Sequence, residues 1–239
     1  MMTNKLENSV PRIALISGGT SGIGLALAEG FAAANYQVIA IGLGELPADT
    51  KNILFKHINV CDSQQINTMI NQLASIDVLI NAAGVIKRGE ELEPDTFAEV
   101  VDINLNGTMR CCSAARAKLA INKGCIINIA SMLSYFGGGL VPAYSASKGG
   151  VVQLTKSLAI AYATEEIRVN ALAPGWIETP LTKGLREDAE RSIDILKRTP
   201  MNRWGKPKEL VGPALFLASD AASFITATTL NVDGGYAAV

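Results

Sequence analysis

The stretch Arg12-Ile13-Ala14-Leu15-Ile16-Ser17-Gly18-Gly19-Thr20-Ser21-Gly22-Ile23-Gly24 begins as a short apolar run, breaks into a glycine-rich turn and leads into an Ala-rich segment from Ile23 to Ala34. The first run reads as a strand and the Ala-rich segment as a helix. With Gln37 to Ile41 as a second strand, the chain opens as a βαβ unit. Glycines between a strand and a helix permit a tight turn, and amides at the helix N-terminus can then face a pyrophosphate. Gly18, Gly22 and Gly24 are therefore the first candidates for contact with a dinucleotide.

The alternation continues along the chain. Leu54 to Ile58, Val78 to Ile80, Cys125 to Ile129, Arg168 to Ala171 and Thr229 to Val232 read as strands, each separated from the next by a segment of helical character. Their continuous apolar runs fit parallel strands buried on both faces. Between Pro174 and Pro207 the alternation is interrupted by Pro174, Gly175, Pro180, Gly184 and Pro200, around a charged stretch from Arg186 to Arg198 that can form a helix. The expectation is one domain over residues 1–239 carrying a mobile substrate flap near residues 176–206.

Composition narrows the partners. The 239 residues are 49% hydrophobic, enough for a full core, and 21 basic against 22 acidic residues give a net charge of −1. No basic stripe suits nucleic acid or an anionic membrane, so neither partner is expected. Cys61, Cys111, Cys112 and Cys125 form no CxxC pair and His57 is the single histidine, so no metal site is expected. Met1 to Ser9 is polar, and the apolar run Ile13 to Ile16 is too short for a signal peptide. No apolar stretch reaches membrane-spanning length. Unpaired cysteines complete the expectation of a cytoplasmic protein.

Tyr144 and Lys148 lie four apart in a segment of helical character, Tyr144 to Ala163, so their side chains share one face. A free tyrosine titrates near 10, and a neighbouring ammonium favours the phenolate, bringing the group toward acid-base work at neutral pH.

These features recur together in the order of a known family, and from Ile13 to Gly235 the chain resembles the short-chain dehydrogenases/reductases. The glycine pattern TGxxxGIG appears as Ser17 to Gly24 with Ser for Thr, NNAG as Asn81-Ala82-Ala83-Gly84, and YxxxK as Tyr144 to Lys148. The family's catalytic serine, thirteen before the tyrosine, matches Ser131, and its helix asparagine matches Asn104 in Asp102-Ile103-Asn104-Leu105. Pro174-Gly175 matches the PG motif, after which Ile177 and Thr179 would meet the nicotinamide carboxamide. The resemblance implies an α/β fold, a doubly wound parallel seven-stranded sheet of Rossmann-like type in a single domain, with cofactor at the switch point.

The implied reaction is NAD(P)-dependent interconversion of a secondary alcohol and a ketone. Tyr144 would carry the proton, Ser131 would hold the carbonyl oxygen, Lys148 would lower the tyrosine pKa and bind the ribose, and Asn104 would keep a water in a relay. Ser17, Thr20, Ser21 and Ile23 join the glycine loop as cofactor residues, as do Gly42 and the stretch Asn59-Val60.

Two positions depart from the family pattern. The family's adenine-binding aspartate falls on Asn59, while Asp62 fits its second acid and can cap a helix starting near Ser63. At the end of the second strand, Gly42 and Leu43 replace the acid that would select NAD. Ser17 to Gly24 and Gly42 to Thr50 also hold no Lys or Arg for a 2′-phosphate, only the acids Glu45 and Asp49, so the reading favours NAD and leaves NADP open.

The substrate is expected over Ser131 and Tyr144, with Lys87 and Arg88 available for a carboxylate and Met132 and Leu133 as further contacts. Ala130 to Ser134 is similar to the corresponding loop of 2-deoxy-gluconate/keto-deoxyuronate dehydrogenases, which points to a polar sugar acid. The competing readings are a 3-oxoacyl-acyl-carrier-protein reductase, weakened by Glu165 and Asn122 at the family's docking positions, and a dinucleotide-sensing scaffold without turnover. By resemblance the protein is expected to form a homotetramer through the helices Gly107 to Ile121 and Val151 to Ala163. Cys111 and Cys112 are expected to pack, His57 to lie at a strand end, Trp204 to anchor the flap's return and Arg203 to serve a structural role.

Overall fold

A computed structural model describes residues 11–239. The reading of Met1 to Ser9 lies outside them. Seven strands form one parallel sheet: β1 Ile13–Ser17, β2 Gln37–Gly42, β3 Ile53–His57, β4 Val78–Asn81, β5 Cys125–Ile129, β6 Arg168–Pro174 and β7 Thr229–Val232, in the order β3-β2-β1-β4-β5-β6-β7. The connecting helices are α1 Gly22–Ala33, α2 Ser63–Asn71, α3 Pro94–Val101, α4 Gly107–Ile121, α5 Pro142–Tyr162, α6 Lys183–Glu187, α7 Ala189–Lys197 and α8 Val211–Ala218.

Strand periodicity explains the two cores. Ala14, Ile16, Val38, Ala40, Val78 and Ile80 face α1 and α8, packing on Leu27, Phe31, Ala214 and Leu217. The alternate residues Leu15, Ile39, Leu79 and Ile126 face the other way, against Ile66, Cys111, Leu119 and Leu158 of α2, α4 and α5. Each inner strand is thus buried on both sides, which is why it reads as an unbroken apolar run. Cys111 and Cys112 pack as expected, with burial pushing the Cys111 thiol up to about 12 and the Cys112 thiol up as well.

The chain winds outward from β1 in both directions, through β2 and β3 on one side and β4 to β7 on the other. The loops after β1 and β4 therefore meet above the switch point, where the Ala82 amide donates to the Ser17 carbonyl at 2.9 Å. A polar chain crosses the sheet beneath them: Asn81 Nδ2 donates to Asn128 Oδ1 at 2.9 Å, and Asn128 Nδ2 to Thr155 Oγ1 at 2.9 Å. Asp62 caps α2 by accepting from the amides of Gln64 and Gln65.

The charged stretch forms two helices rather than one. They break at Asp188, whose carboxylate accepts from the Arg191 amide at 3.1 Å and caps α7. The neck of this segment is fastened where Ile177 bridges Gly205 and where Trp204 Nε1 donates to Ser192 Oγ at 3.1 Å. Arg203 pairs with Glu209 through both guanidinium NH groups, at 2.9 and 2.6 Å.

Candidate active site

The glycine-rich turn leaves space where side chains would fill it. Gly18 has a φ of +68°, and a Cβ there would lie 2.5 Å from the Ala83 amide nitrogen. Only glycine lets this turn approach the Ala82-Ala83 backbone so closely. The result is a cleft of about 270 Å³ lined by Gly18, Ser21 to Gly24, Ala82 to Gly84, Tyr144, Lys148 and Thr179, together with Ile129, Pro180 and Leu181, which the sequence did not single out. Small residues line this cleft and the N-terminus of α1 opens into it, features that suit the pyrophosphate of a dinucleotide.

Other expected cofactor residues lie beneath or beside the cleft. Ser17 and Asn81 are buried under it, their side chains 3.4 Å apart. Ile177 is buried in the core, and Pro174 and Gly175 line the adjoining cavity instead. Asn59 Oδ1 accepts from the Cys61 amide at 2.9 Å, and Val60 packs against Gly107. At the end of β2, a Cβ on Gly42 would lie 2.4 Å from Thr20 Oγ1, so Thr20 excludes an acidic side chain from that position.

The four expected catalytic residues converge from three elements. Ser131 follows β5 and caps a short 3-10 turn, Met132–Ser134, accepting from the Leu133 amide at 3.1 Å. Tyr144 and Lys148 stand one turn apart on α5. Lys148 is 4% exposed, and its Nζ donates to the Ile129 carbonyl at 2.6 Å. Asn104 sits fully buried in a π-helical turn, Asp102–Asn106, between α3 and α4. Its Nδ2 donates to the Val85 carbonyl at 3.0 Å and to Ser147 Oγ at 3.2 Å, while its Oδ1 accepts from the Val85 amide at 2.8 Å. Asn104 thereby fixes the loop after Gly84, and a Cβ on Gly84 would lie 3.3 Å from Asn104 Oδ1 and 3.6 Å from Lys148 Nζ.

The electrostatics correct one expectation. Lys148 was expected to pull the phenol pKa down. Here enclosure holds Tyr144 above its ordinary 10, Glu91 adds to that rise, and the Ser131 hydroxyl opposes it. Burial also brings Lys148 down to about 8. The ammonium is directed to the Ile129 carbonyl, and Nζ stands 5.7 Å from the centre of the Tyr144 ring.

Ser131 and Tyr144 open on their other side into a cavity of about 450 Å³. Arg88, Met132 and Leu133 line it. Lys87 does not, because its ammonium pairs with Glu99 outside. Trp176, Leu181, Leu185, Asp188 and Arg191, from the segment read as the flap but not singled out there, and Tyr236, which lies outside it, complete the wall. Arg88 forms no ion pair among the described residues. Enclosure and the nearby Arg191 guanidinium both lower its pKa, whereas Glu91 raises it. Arg191 has a loose partner in Asp188, at 3.6 Å. Two guanidinium groups thus reach one cavity whose lining holds a single carboxylate, that of Asp188, an arrangement that favours an anion.

Comparison with known proteins agrees with this geometry. A family model described as enoyl-(acyl carrier protein) reductase matches residues 18–237. A 2-dehydro-3-deoxy-D-gluconate 5-dehydrogenase of Pseudoalteromonas atlantica is 38% identical, the match covering 94% of this chain and 95% of the relative. One from Bacillus subtilis is also 38% identical over 94% of each chain. Among solved structures, a gluconate 5-dehydrogenase from Burkholderia cenocepacia in complex with NADP and tartrate superposes with a TM-score of 0.89 at 34% identity, covering 95% of this chain and 96% of that one.

Proposed function

The chain belongs to the short-chain dehydrogenase/reductase family, and from that premise we propose that it interconverts a secondary alcohol and a ketone on a sugar acid of the 2-dehydro-3-deoxy-D-gluconate type. It is an NAD(P)-dependent oxidoreductase. The observation that carries the substrate class is the position of Arg88 and Arg191 in the cavity that also exposes Ser131 and Tyr144. A carboxylate held by these guanidinium groups leaves the rest of the sugar chain to extend toward the phenol.

Bound in the glycine-lined cleft, the dinucleotide supplies the hydride donor or acceptor. In reduction, the Tyr144 hydroxyl gives its proton to the substrate oxygen while the Ser131 hydroxyl donates a hydrogen bond to that oxygen. In oxidation the proton returns to Tyr144. Lys148 holds the ribose hydroxyls, and Asn104 keeps the Gly84-Val85 backbone in place beside Lys148. A flap comprising α6 and α7 closes over the substrate, carrying Arg191 inward and excluding water.

The carrier-protein reading finds less support. Glu165 is engaged by Arg116, and Asn122 Nδ2 donates to Ser75 and Asp77, so neither position offers a cation to an acidic carrier. The substrate proposal is tested by comparing kcat/KM for gluconate with that for glucitol, which carries a neutral hydroxymethyl group in place of the carboxylate. Gluconate is expected to be preferred by at least about tenfold, as a charge-assisted contact implies. Equal use of both would contradict it.

We also place the protein in the cytoplasm as a homotetramer. Among the described residues no helix is long and apolar enough to cross a membrane. Exposed Ile121 on α4, Ile160 on α5 and Phe224 before β7 are apolar surface of the kind that assembly covers. Light scattering of the purified protein checks the mass.

A further inference from the structure

One buried carboxylate neither carries a proton nor meets substrate in the reaction proposed above. Glu91 is 1% exposed, and no lysine or arginine forms an ion pair with it among the described residues. Its Oε1 accepts from the Lys87 amide at 2.8 Å and its Oε2 from the Tyr144 amide at 2.8 Å. Tyr144 is the third residue of α5, so its amide is one of the helix-end donors that has no partner within the helix. Val141, the flanking residue, supplies no side-chain cap. Glu91 takes that role from 53 residues away in sequence.

The same carboxylate holds the backbone beside Arg88, the cavity guanidinium. A second link runs in parallel, from the Gly89 amide to the Leu140 carbonyl at 2.7 Å. The loop that presents Arg88 and the helix that presents the phenol are therefore joined through Glu91. A buried charge is costly unless hydrogen-bonded, and a local cap at Val141 would satisfy the helix end without one. The charge is thus an electrostatic feature of the site as well as a structural tie.

We propose that Glu91 is a positioning residue for proton transfer at Tyr144: its bridging carboxylate fixes the phenol against the Arg88 loop, and its negative charge acts on the phenol directly. The inference rests on the reading of Tyr144 as the proton-transferring group. Glu91 raises the tyrosine's pKa, second to the larger effect of enclosure. The other groups facing this pair are the Arg88 guanidinium, the Ser131 hydroxyl and the Lys148 ammonium. The Lys87 ammonium is turned to Glu99.

The test compares wild type with Glu91→Gln, Glu91→Ala and Glu91→Asp. Two readouts are the pH dependence of kcat with 2-dehydro-3-deoxy-D-gluconate and the tyrosinate difference spectrum of the full-length protein, from which the Tyr144→Phe spectrum is subtracted. Glu91→Gln is expected to lower kcat about tenfold with the dinucleotide KM nearly unchanged, because a small misplacement costs rate rather than binding. The Tyr144 ionisation is expected to move to lower pH once the like charge is gone. Glu91→Asp is expected to restore part of kcat. Wild-type kcat in Glu91→Gln overturns the proposal. So does a fall in kcat with an unmoved tyrosine titration, which would reduce Glu91 to a helix cap. The spectroscopic arm needs no substrate, so it decides the proposal even if 2-dehydro-3-deoxy-D-gluconate is not turned over.

Discussion

The Nζ of Lys148 donates to the carbonyl of Ile129 at 2.6 Å, tying the ammonium of α5 to the last residue of β5. Burial brings this lysine from 10.5 down to about 8, so between those values the folded protein binds fewer protons than the unfolded chain. Stability therefore rises with pH across that window, and the burial cost is fully present below it. Lys148→Met is expected to abolish turnover yet stabilise the protein near neutral pH by up to about 3 kcal/mol, an advantage that shrinks as pH rises toward the ordinary lysine value. Urea denaturation at several pH values reads this directly. A Lys148→Met protein less stable than wild type at neutral pH would show that the hydrogen bond to Ile129 outweighs the buried charge.

Tyr144→Phe removes only the hydroxyl. Its ring stays on α5, and the backbone amide keeps its bond to Glu91. Turnover is expected to fall by about a thousandfold or more while dinucleotide affinity changes little, a separation that stopped-flow and equilibrium titration resolve. Near-normal kcat would remove Tyr144 from the proton path.

Arg88 and Arg191 are expected to act on the same substrate group. Arg88→Ala and Arg191→Ala should each raise KM for gluconate by about tenfold to a hundredfold and leave KM for glucitol nearly unchanged. Because the two guanidinium groups meet one anion, the double variant should lose less than the product of the single effects. Strictly multiplicative losses would mean that the arginines act at separate places.

The end of β2 bears on cofactor choice. Thr20 fills the space beside Gly42, and neither Gly42 to Thr50 nor the glycine turn carries a cation to meet a 2′-phosphate. NADH is expected to bind more tightly than NADPH, as a fluorescence titration would show. Stronger NADPH binding would mean that a cation from elsewhere reaches the ribose.

The fold was legible because its signals are local. Continuous apolar strands, the turn at Gly18 and the α5 pair Tyr144 and Lys148 each declare themselves within one element, and the structure places them together at the switch point. What stayed hidden depends on contacts between distant segments. Nothing near Glu91 marks it as the cap of a helix that starts at Pro142, and nothing near Arg191 shows that α7 carries it into the cavity of Arg88. Lys87 and Arg88 looked equivalent as neighbouring loop cations, yet Glu99 on α3 takes one and leaves the other. The expected fall in the Tyr144 pKa also failed for a tertiary reason, since helical spacing fixes the face of Lys148 but not the carbonyl that accepts its hydrogen bond.

The most direct measurement follows nicotinamide absorbance while purified wild type and Tyr144→Phe are offered 2-dehydro-3-deoxy-D-gluconate with NAD, and separately with NADP. Saturable turnover by wild type and its loss in Tyr144→Phe is the expected result, joining the sugar acid to the site built by Ser131, Tyr144 and Lys148. Dinucleotide binding without turnover of this substrate, or preferential reduction of a 3-oxoacyl thioester in a parallel assay supplied with NADH or NADPH, would contradict the assignment.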